Sequence, residues 1–419
     1  MLLLQKITLR YPALASRNFV IFWVGQFISL IGTWMQSVTQ PYLAYRLSGN
    51  PFDLGLIGFA AALPTLILAL PGGVIIERLD KRKTVIAMQI VMLLQAFMMA
   101  FLALTGVIQI WHIVLLSFLL GAASAIEITA RQAMLIELVG KEALPNAIAL
   151  QSTIFNAARV IGPSLAAPFL ILIQGNGEGW AFFANGVSYF FIIISLFFVQ
   201  TPFKAEILSV THNWRAEFME GQFYIRQTRT VAMIILMAAV VGFFAFPPLQ
   251  QIPVIASNVL AQSQDTDATR AARNSALYTA QGIGALVASI GLASYTPKRK
   301  GRLLISGQAI FIAGLIAIAA NHNIVGELLI FVLIGWGSVT TLATMNTMIQ
   351  LEVPDSLRGR VFSTYLWGLQ GIAPFGSLVV GWMTEVWGML LTALVCGLVC
   401  LVVIGGIHLA FPEIRNKIL

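Results

Sequence analysis

Charge is what this chain has least of. Only 10% of its 419 residues are Asp, Glu, Lys or Arg, while 58% are hydrophobic; soluble domains carry roughly 25% charged residues. A water-soluble fold of this length has too little polar surface to cover such a composition, so the chain reads as a polytopic membrane protein. Histidine is also scarce. His112, His212, His322 and His408 are scattered, with no metal spacing or nucleophile elbow around them. No Gly-x-x-x-x-Gly-Lys-Ser/Thr loop occurs, so ATP hydrolysis by this chain is not expected, nor an enzyme active site, a cofactor or a metal. The only cysteines, Cys396 and Cys400, are four apart in one apolar segment. Within one helix they are poorly placed for a disulfide and read as small packing or lipid-facing residues. Met1 to Arg17 has no long apolar core or small-residue cleavage site, so no removable signal peptide is expected. Its Lys6, Arg10 and Arg17 suit a short segment at the headgroup layer.

What the chain has in plenty is apolar stretches of spanning length. A span needs about 20 apolar residues, and twelve candidates fit, near 19–45, 53–76, 84–106, 111–134, 146–173, 180–200, 231–258, 274–295, 302–320, 325–349, 360–384 and 389–411. The basic residues then sort by side. Twenty-one lie in the loops on the side of the termini, only Arg46, Arg270 and Arg273 lie in the opposite loops, and Arg159 lies inside a span. That asymmetry predicts both termini in the cytoplasm. The net charge of +8 therefore reflects topology and does not predict nucleic-acid binding.

The longest connection on that side, Thr201 to Thr230, falls close to the middle of the chain. Its mixture of Lys204, Trp214, Arg215, Phe218, Phe223, Tyr224 and Arg226 suits an interfacial helix tethering two halves. The expected organisation is a cytoplasmic segment 1–17, a six-helix bundle 18–200, a cytoplasmic linker 201–230, a second six-helix bundle 231–411 and a tail 412–419. The halves also read as repeats. Met134 to Asn146 resembles Met348 to Arg360, with starts 214 residues apart, and Gly162-Pro163 pairs with Ala373-Pro374, 211 apart. Duplicated bundles of this kind place their substrate cavity near the midplane, where the halves meet. The fold class is thus all-α, with twelve transmembrane helices in two pseudo-symmetric bundles.

The turn after the second span is the most distinctive stretch. Gly72-Gly73 ends an apolar helix; then Glu77-Arg78 and Asp80-Lys81-Arg82-Lys83 lead into the next helix. So short a turn makes the two helices antiparallel neighbours. The pattern resembles the loop between helices 2 and 3 of the major facilitator superfamily, with Glu77 where that family usually has Asp. Further stretches extend the resemblance from about residue 10 to 412. They are Arg17-Asn-Phe with Gly25-Gln26, Glu127-Ile-Thr-Ala-Arg131-Gln132, Asn156-Ala-Ala-Arg159-Val-Ile-Gly162-Pro163 and Leu351-Glu-Val-Pro354 with Arg358-Gly359-Arg360. Together they look like the bacterial branch that contains the enterobactin exporter and macrolide efflux proteins. The branch commonly has Asp-x-Pro-x-Arg where this chain has Glu127-x-Thr-x-Arg131, and Gly-Gly where it has Ala166-Ala167.

The resemblance implies a secondary active transporter in the bacterial inner membrane, acting as a monomer, with protons, the lipid bilayer and a small-molecule substrate as its partners. It implies proton-coupled efflux of a siderophore, drug or other amphiphile, with lipid or lysolipid translocation, or a non-transporting receptor, as alternatives. It also implies a gating latch of Gly73, Glu77, Arg78, Arg82, Glu127 and Arg131. Spans 1, 4, 7 and 10 usually line the cavity in this superfamily, which singles out Gln36, Gln40 and Asn346; taken one by one, each reads rather as a hydrogen-bonding group between helices. Physical reasoning adds Arg159, a permanent cation about 20 Å along its span. It needs either a structural partner or a place in the cavity, and Asn156 lies one turn away on the same wall. Gly162 and Pro163 mark close helix packing. Glu127 and Arg131, at i and i+4, are spaced for an ion pair; burial alternatively makes Glu127 a proton carrier. Glu327 and Glu385, near span ends, are expected to be solvated.

Overall fold

A computed structural model describes residues 11–68, 79–173, 175–199, 214–294, 299–354 and 357–416. The described residues are almost entirely helical, with no strand among them. Ten helices among them are long and apolar enough to cross a membrane. They are α1 (Arg17–Ser48), α2 (Pro51–Leu68), α3 (Lys81–Leu104), α4 (Ile110–Leu172), α5 (Gly177–Phe198), α7 (Arg229–Val259), α8 (Asp267–Ser294), α9 (Lys300–Ile318), α10 (Ile324–Glu352) and α13 (Met389–Ala410). Between α5 and α7 lies α6 (Trp214–Gln227), and between α10 and α13 lie α11 (Arg358–Leu366) and α12 (Ala373–Trp387); α14 (Pro412–Asn416) closes the series.

The count of ten differs from the expected twelve for two local reasons. The 63-residue α4 holds two spans, broken only at Gly140, whose φ of 74° lies in the left-handed region that glycine alone enters freely. The spans expected at 111–134 and 146–173 therefore meet at a one-residue corner. The span expected at 360–384 is cut by a π-helical turn at Trp367–Gly371, just before Pro374. Proline lacks the N–H that a regular helix needs at that point, and a wider turn absorbs the defect. The same chemistry breaks up α7, where π turns at Val241–Ala245 and Ile255–Val259 flank a segment with Pro247, Pro248 and Pro253.

The chain divides into two compact units, one formed by Met1–Leu43 and Leu63–Ser209, the other by Ala44–Ala62 and Val210–Leu419. In the first, Phe19, Phe22, Val85, Ala96, Met134, Tyr189, Ile192 and Leu196 form a buried core. Gly162 lets α4 press against α1, since a Cβ there would overlap Trp34 and the Ile31 and Met35 backbone.

Polar side chains inside this unit knot together. Gln36 donates to Gln40 Oε1 and Gln95 Oε1, each at 3.2 Å, and accepts from Asn185 Nδ2 at 2.6 Å. Gln40 in turn donates to Ser117 Oγ at 2.6 Å. One glutamine thus ties α1, α3 and α5, and a second reaches α4.

In the second unit α8 and α9 both pack along α10. Cys396 and Cys400 are free thiols buried on α13, so both are packing residues. The helix expected in the linker is present as α6. Its Gln222 donates to Thr364 Oγ1 at 2.8 Å, its Tyr224 hydroxyl donates to the Glu352 carbonyl at 3.3 Å, and Glu220 pairs with Arg360. These bonds seat α6 on the adjoining ends of α10 and α11. At the start of α8, Arg273 hydrogen-bonds Asp265, which also accepts from the Gln262 N–H. The Arg273 guanidinium, and then that N–H, hold the Asp265 carboxyl below the usual carboxylate range.

Two outcomes follow. Interhelical hydrogen bonds in membranes average about 0.6 kcal/mol each, and Gln36 makes three. Replacing it by leucine leaves Asn185 and Gln95 without their partner, so Gln36→Leu is expected to lose about 2 kcal/mol, read as a lower melting temperature in detergent; unchanged melting refutes the knot. The Asp265–Arg273 link has a depressed acid, so its contribution is present above about pH 4 and fades only in stronger acid. Asp265→Asn should therefore melt below wild type at pH 7 and converge with it on acidification.

Candidate functional site

The charged residues expected in the latch or the cavity, where described, fall into two neighbourhoods of the first unit, one of them built on paired charges. Glu127 is only 4% exposed and accepts two hydrogen bonds, from Arg131 Nε at 3.0 Å and from Gln89 Nε2 at 3.2 Å. The i, i+4 spacing on α4 thus forms the ion pair, and α3 supplies a third member that sequence spacing did not indicate. Further along, Lys81 pairs with Glu137, both side chains mostly buried. Arg82 donates to the Phe197 carbonyl at 3.1 Å, at the last turn of α5. A cation there satisfies one of the unpaired helix-end carbonyls and suits the negative end of the dipole. Gly73, Glu77 and Arg78, the rest of the expected latch, lie outside the described residues.

The other neighbourhood is built on a lone cation. Arg159 lies with its guanidinium carbon 5.4 Å from the centre of the Trp34 ring, within cation–π range. Phe155, one turn before it, packs edge-on to the same indole at 5.4 Å and 73°, and is itself exposed. No hydrogen bond or carboxylate partner for Arg159 is present among the described residues. Asn156 donates to the Ser152 carbonyl of its own helix, at 2.8 Å. The aromatic partners were missed in the sequence because Trp34 is 125 positions from Arg159; only the Phe155–Arg159 spacing was visible.

Other expectations fare differently. Gln36 and Gln40, expected to line a cavity, are buried members of the interhelical knot. Asn346 accepts from Gln350, one turn on along α10. Gly162 and Pro163 are buried, and the helices do approach closely there. Glu385 is exposed and accepts from Asn50 Nδ2 at 3.3 Å.

Glu327 corrects the sequence reading. It was expected to be solvated, yet it is 0% exposed and neither carboxyl oxygen has a hydrogen-bond partner among the described residues. The reason is its place on α10, along which α8 and α9 both pack. Sequence places a residue along a helix but does not say which neighbours lie over it. The positive end of the helix dipole favours an anion there by at most about 2 kcal/mol. An unpaired buried ion costs several kcal/mol, so burial outweighs the dipole.

A bundle of apolar helices with paired charges near its loops and a cation held inside a span suits a membrane transporter, and the comparisons show that class. The chain belongs to the transmembrane secretion effector family of the major facilitator superfamily, which it matches over residues 9–417. It is 25% identical over 387 residues to the Staphyloferrin A transporter of Staphylococcus aureus, covering 90% of this chain and 92% of that one. It is 22% identical over 395 residues to the multidrug efflux pump Tap of Mycolicibacterium fortuitum, covering 92% and 93%. Its fold is similar to a solved bacterial homologue of the human lysosomal transporter Spinster, with a TM-score of 0.71 at 14% identity, covering 96% and 98%.

The paired-charge cluster makes a direct prediction. Glu137→Lys should lower stability by about 1.5–3 kcal/mol, the worth of a hydrogen bond to a charged group. The double swap Lys81→Glu with Glu137→Lys should recover most of it. Thermal melting of the three proteins checks this; no recovery in the double variant removes the pair from the account.

Proposed function

We propose that this protein is a secondary active exporter. It moves a small amphiphile of the siderophore or drug kind, bearing an anionic group, out of the cell in exchange for protons. The observation that carries the reading is Arg159. A permanent cation held inside a span against Trp34 and Phe155, without a carboxylate partner among the described residues, offers a charge and an aromatic face to an anionic, partly apolar ligand. A relative named as a multidrug efflux pump supports export as the direction, and one named as a Staphyloferrin A transporter supports a siderophore as the substrate class.

In this reading the cation-rich loops hold both termini in the cytoplasm of a bacterial inner membrane. Residues 18–200 and 231–411 act as two six-helix halves joined by the linker 201–230. The halves alternate access to the substrate, and the protein works as a monomer. Gly73, Glu77, Arg78, Arg82, Glu127 and Arg131 form the latch. The Glu127–Arg131 pair and the seat of Arg82 on the end of α5 supply its charge contacts. A lysolipid also combines an anionic head with an apolar body, and the same site would take it.

The test uses inverted vesicles under an imposed pH gradient, with a panel of siderophores and a fluorescent lysolipid as probes. Arg159→Gln should lower transport of the anionic probe about tenfold, corresponding to about 1.4 kcal/mol. Arg159→Lys should retain part of it, since a point charge keeps attraction but loses the planar stack. Equal transport by wild type and Arg159→Gln overturns the reading. Movement of lysolipid alone replaces the exporter with a lipid translocator.

A further inference from the structure

The buried carboxyl of Glu327 has no part in the latch or at Arg159. It lies in the first turn of α10, fully enclosed, with no ion pair among the described residues and the Asn321 side chain of the preceding turn as a polar neighbour. The charged groups on the elements packed against α10 are engaged elsewhere. On α8, Arg273 pairs with Asp265 and Arg270 with Asp267. On α9, Lys300 and Arg302 lie in the first turn, at the opposite end from the turn that leads into α10. Arg358 and Arg360 of α11 contact Gln350 and Glu220, by the far end of α10, where Tyr224, just ahead of Arg229 and α7, reaches Glu352. His322, in the turn before α10, lines an open pocket of about 550 Å³ together with Glu385 and Trp387.

Among the described residues, therefore, no cation pairs with an ionised Glu327. The carboxyl is compatible with its surroundings when it carries a proton and incompatible when it has lost one. That property couples protonation to packing: the proton is taken up where water from the outer side reaches the turn, and it is held while the turn is enclosed. Further along the same face of α10, about three and four turns on, lie Ser338 and Thr341, both buried; the Thr341 hydroxyl also lacks a partner among the described residues. The face that begins at Glu327 is thus polar at depth, where apolar packing alone would not place hydroxyls.

We propose that Glu327 is the proton-carrying group of the transport cycle, loaded from the outer water when that end of α10 is open, held while the end is enclosed, and discharged when water reaches it from the cytoplasmic side. The inference rests on the proton-coupled reading above and adds the site to it. Glu127 is set apart from this role by its partners, since Arg131 and Gln89 stabilise its charged form.

The experiment uses the full-length protein in liposomes, with the same siderophore and lysolipid probes and an entrapped pH dye. In wild type an imposed pH gradient should drive concentrative movement. Glu327→Gln should lower that movement to less than about a tenth while keeping substrate exchange at equal pH, because exchange needs no proton release. Glu327→Asp should restore gradient-driven movement. Wild type that ignores the gradient overturns both the coupled reading and this assignment. Wild type that responds together with an equally responsive Glu327→Gln overturns the assignment alone. Should Glu327→Gln fail to assemble, the pH profile of Glu327→Asp decides: a displaced profile supports the site, and an unchanged one removes it.

Discussion

Inside a bilayer a polar group has no water to fall back on, and this one constraint organises the whole protein. Backbone groups meet it by forming helices. Side chains have to meet it with one another, and Gln36 shows how: three hydrogen bonds from one amide bind helices that dispersion forces alone would hold only loosely. Where the backbone itself breaks the pattern, at the prolines of α7 and before α12, π and 3-10 turns take up the defect. The bundle is therefore not an oily mass with occasional polar intruders. Its polar residues are fasteners wherever they find partners, and they become sites of chemistry where they do not.

That distinction separates three ionisable groups that look alike in a hydropathy plot. Glu127 is buried and satisfied by Arg131 and Gln89, so its charge is structural. Arg159 cannot discharge and has an aromatic face in place of a counter-ion, which leaves its charge available to a ligand. Glu327 is buried with neither counter-ion nor hydrogen bond among the described residues, and a proton is the remaining way to balance it. Each sits in a helix of spanning length, and only the company it keeps assigns its role.

Much of the fold was legible beforehand because it rests on local, one-dimensional properties. Apolar length predicts where spans lie, and most observed helix ends fall within a few residues of the expected ones, though α8 starts seven residues early and the expected end of the second span lies outside the described residues. An i, i+4 charge pair such as Glu127–Arg131 is readable because helix geometry alone brings it together. The departures have physical causes of the opposite kind. Gly140 was read within a loop but forms a one-residue corner, which depends on its φ of 74°. Gln36 and Gln40 read as cavity candidates or as fasteners between helices, and partners 59, 77 and 149 positions away, which no local pattern reveals, draw them into a knot. Glu327 was placed correctly along its helix and wrongly with respect to water.

What the amino-acid sequence determined by itself was the membrane class, the apolar spans, the distribution of cations among the loops and the helical neighbours within four residues. These follow from transfer energies and helix periodicity, which need no knowledge of distant contacts. Only the tertiary structure decided which side chains face one another across helices: Trp34 with Arg159, Lys81 with Glu137, and, among the described residues, no cation with Glu327. Burial and pairing depend on segments far apart in the chain, and the free energy of a buried charge is set by those neighbours and not by the residue that bears it.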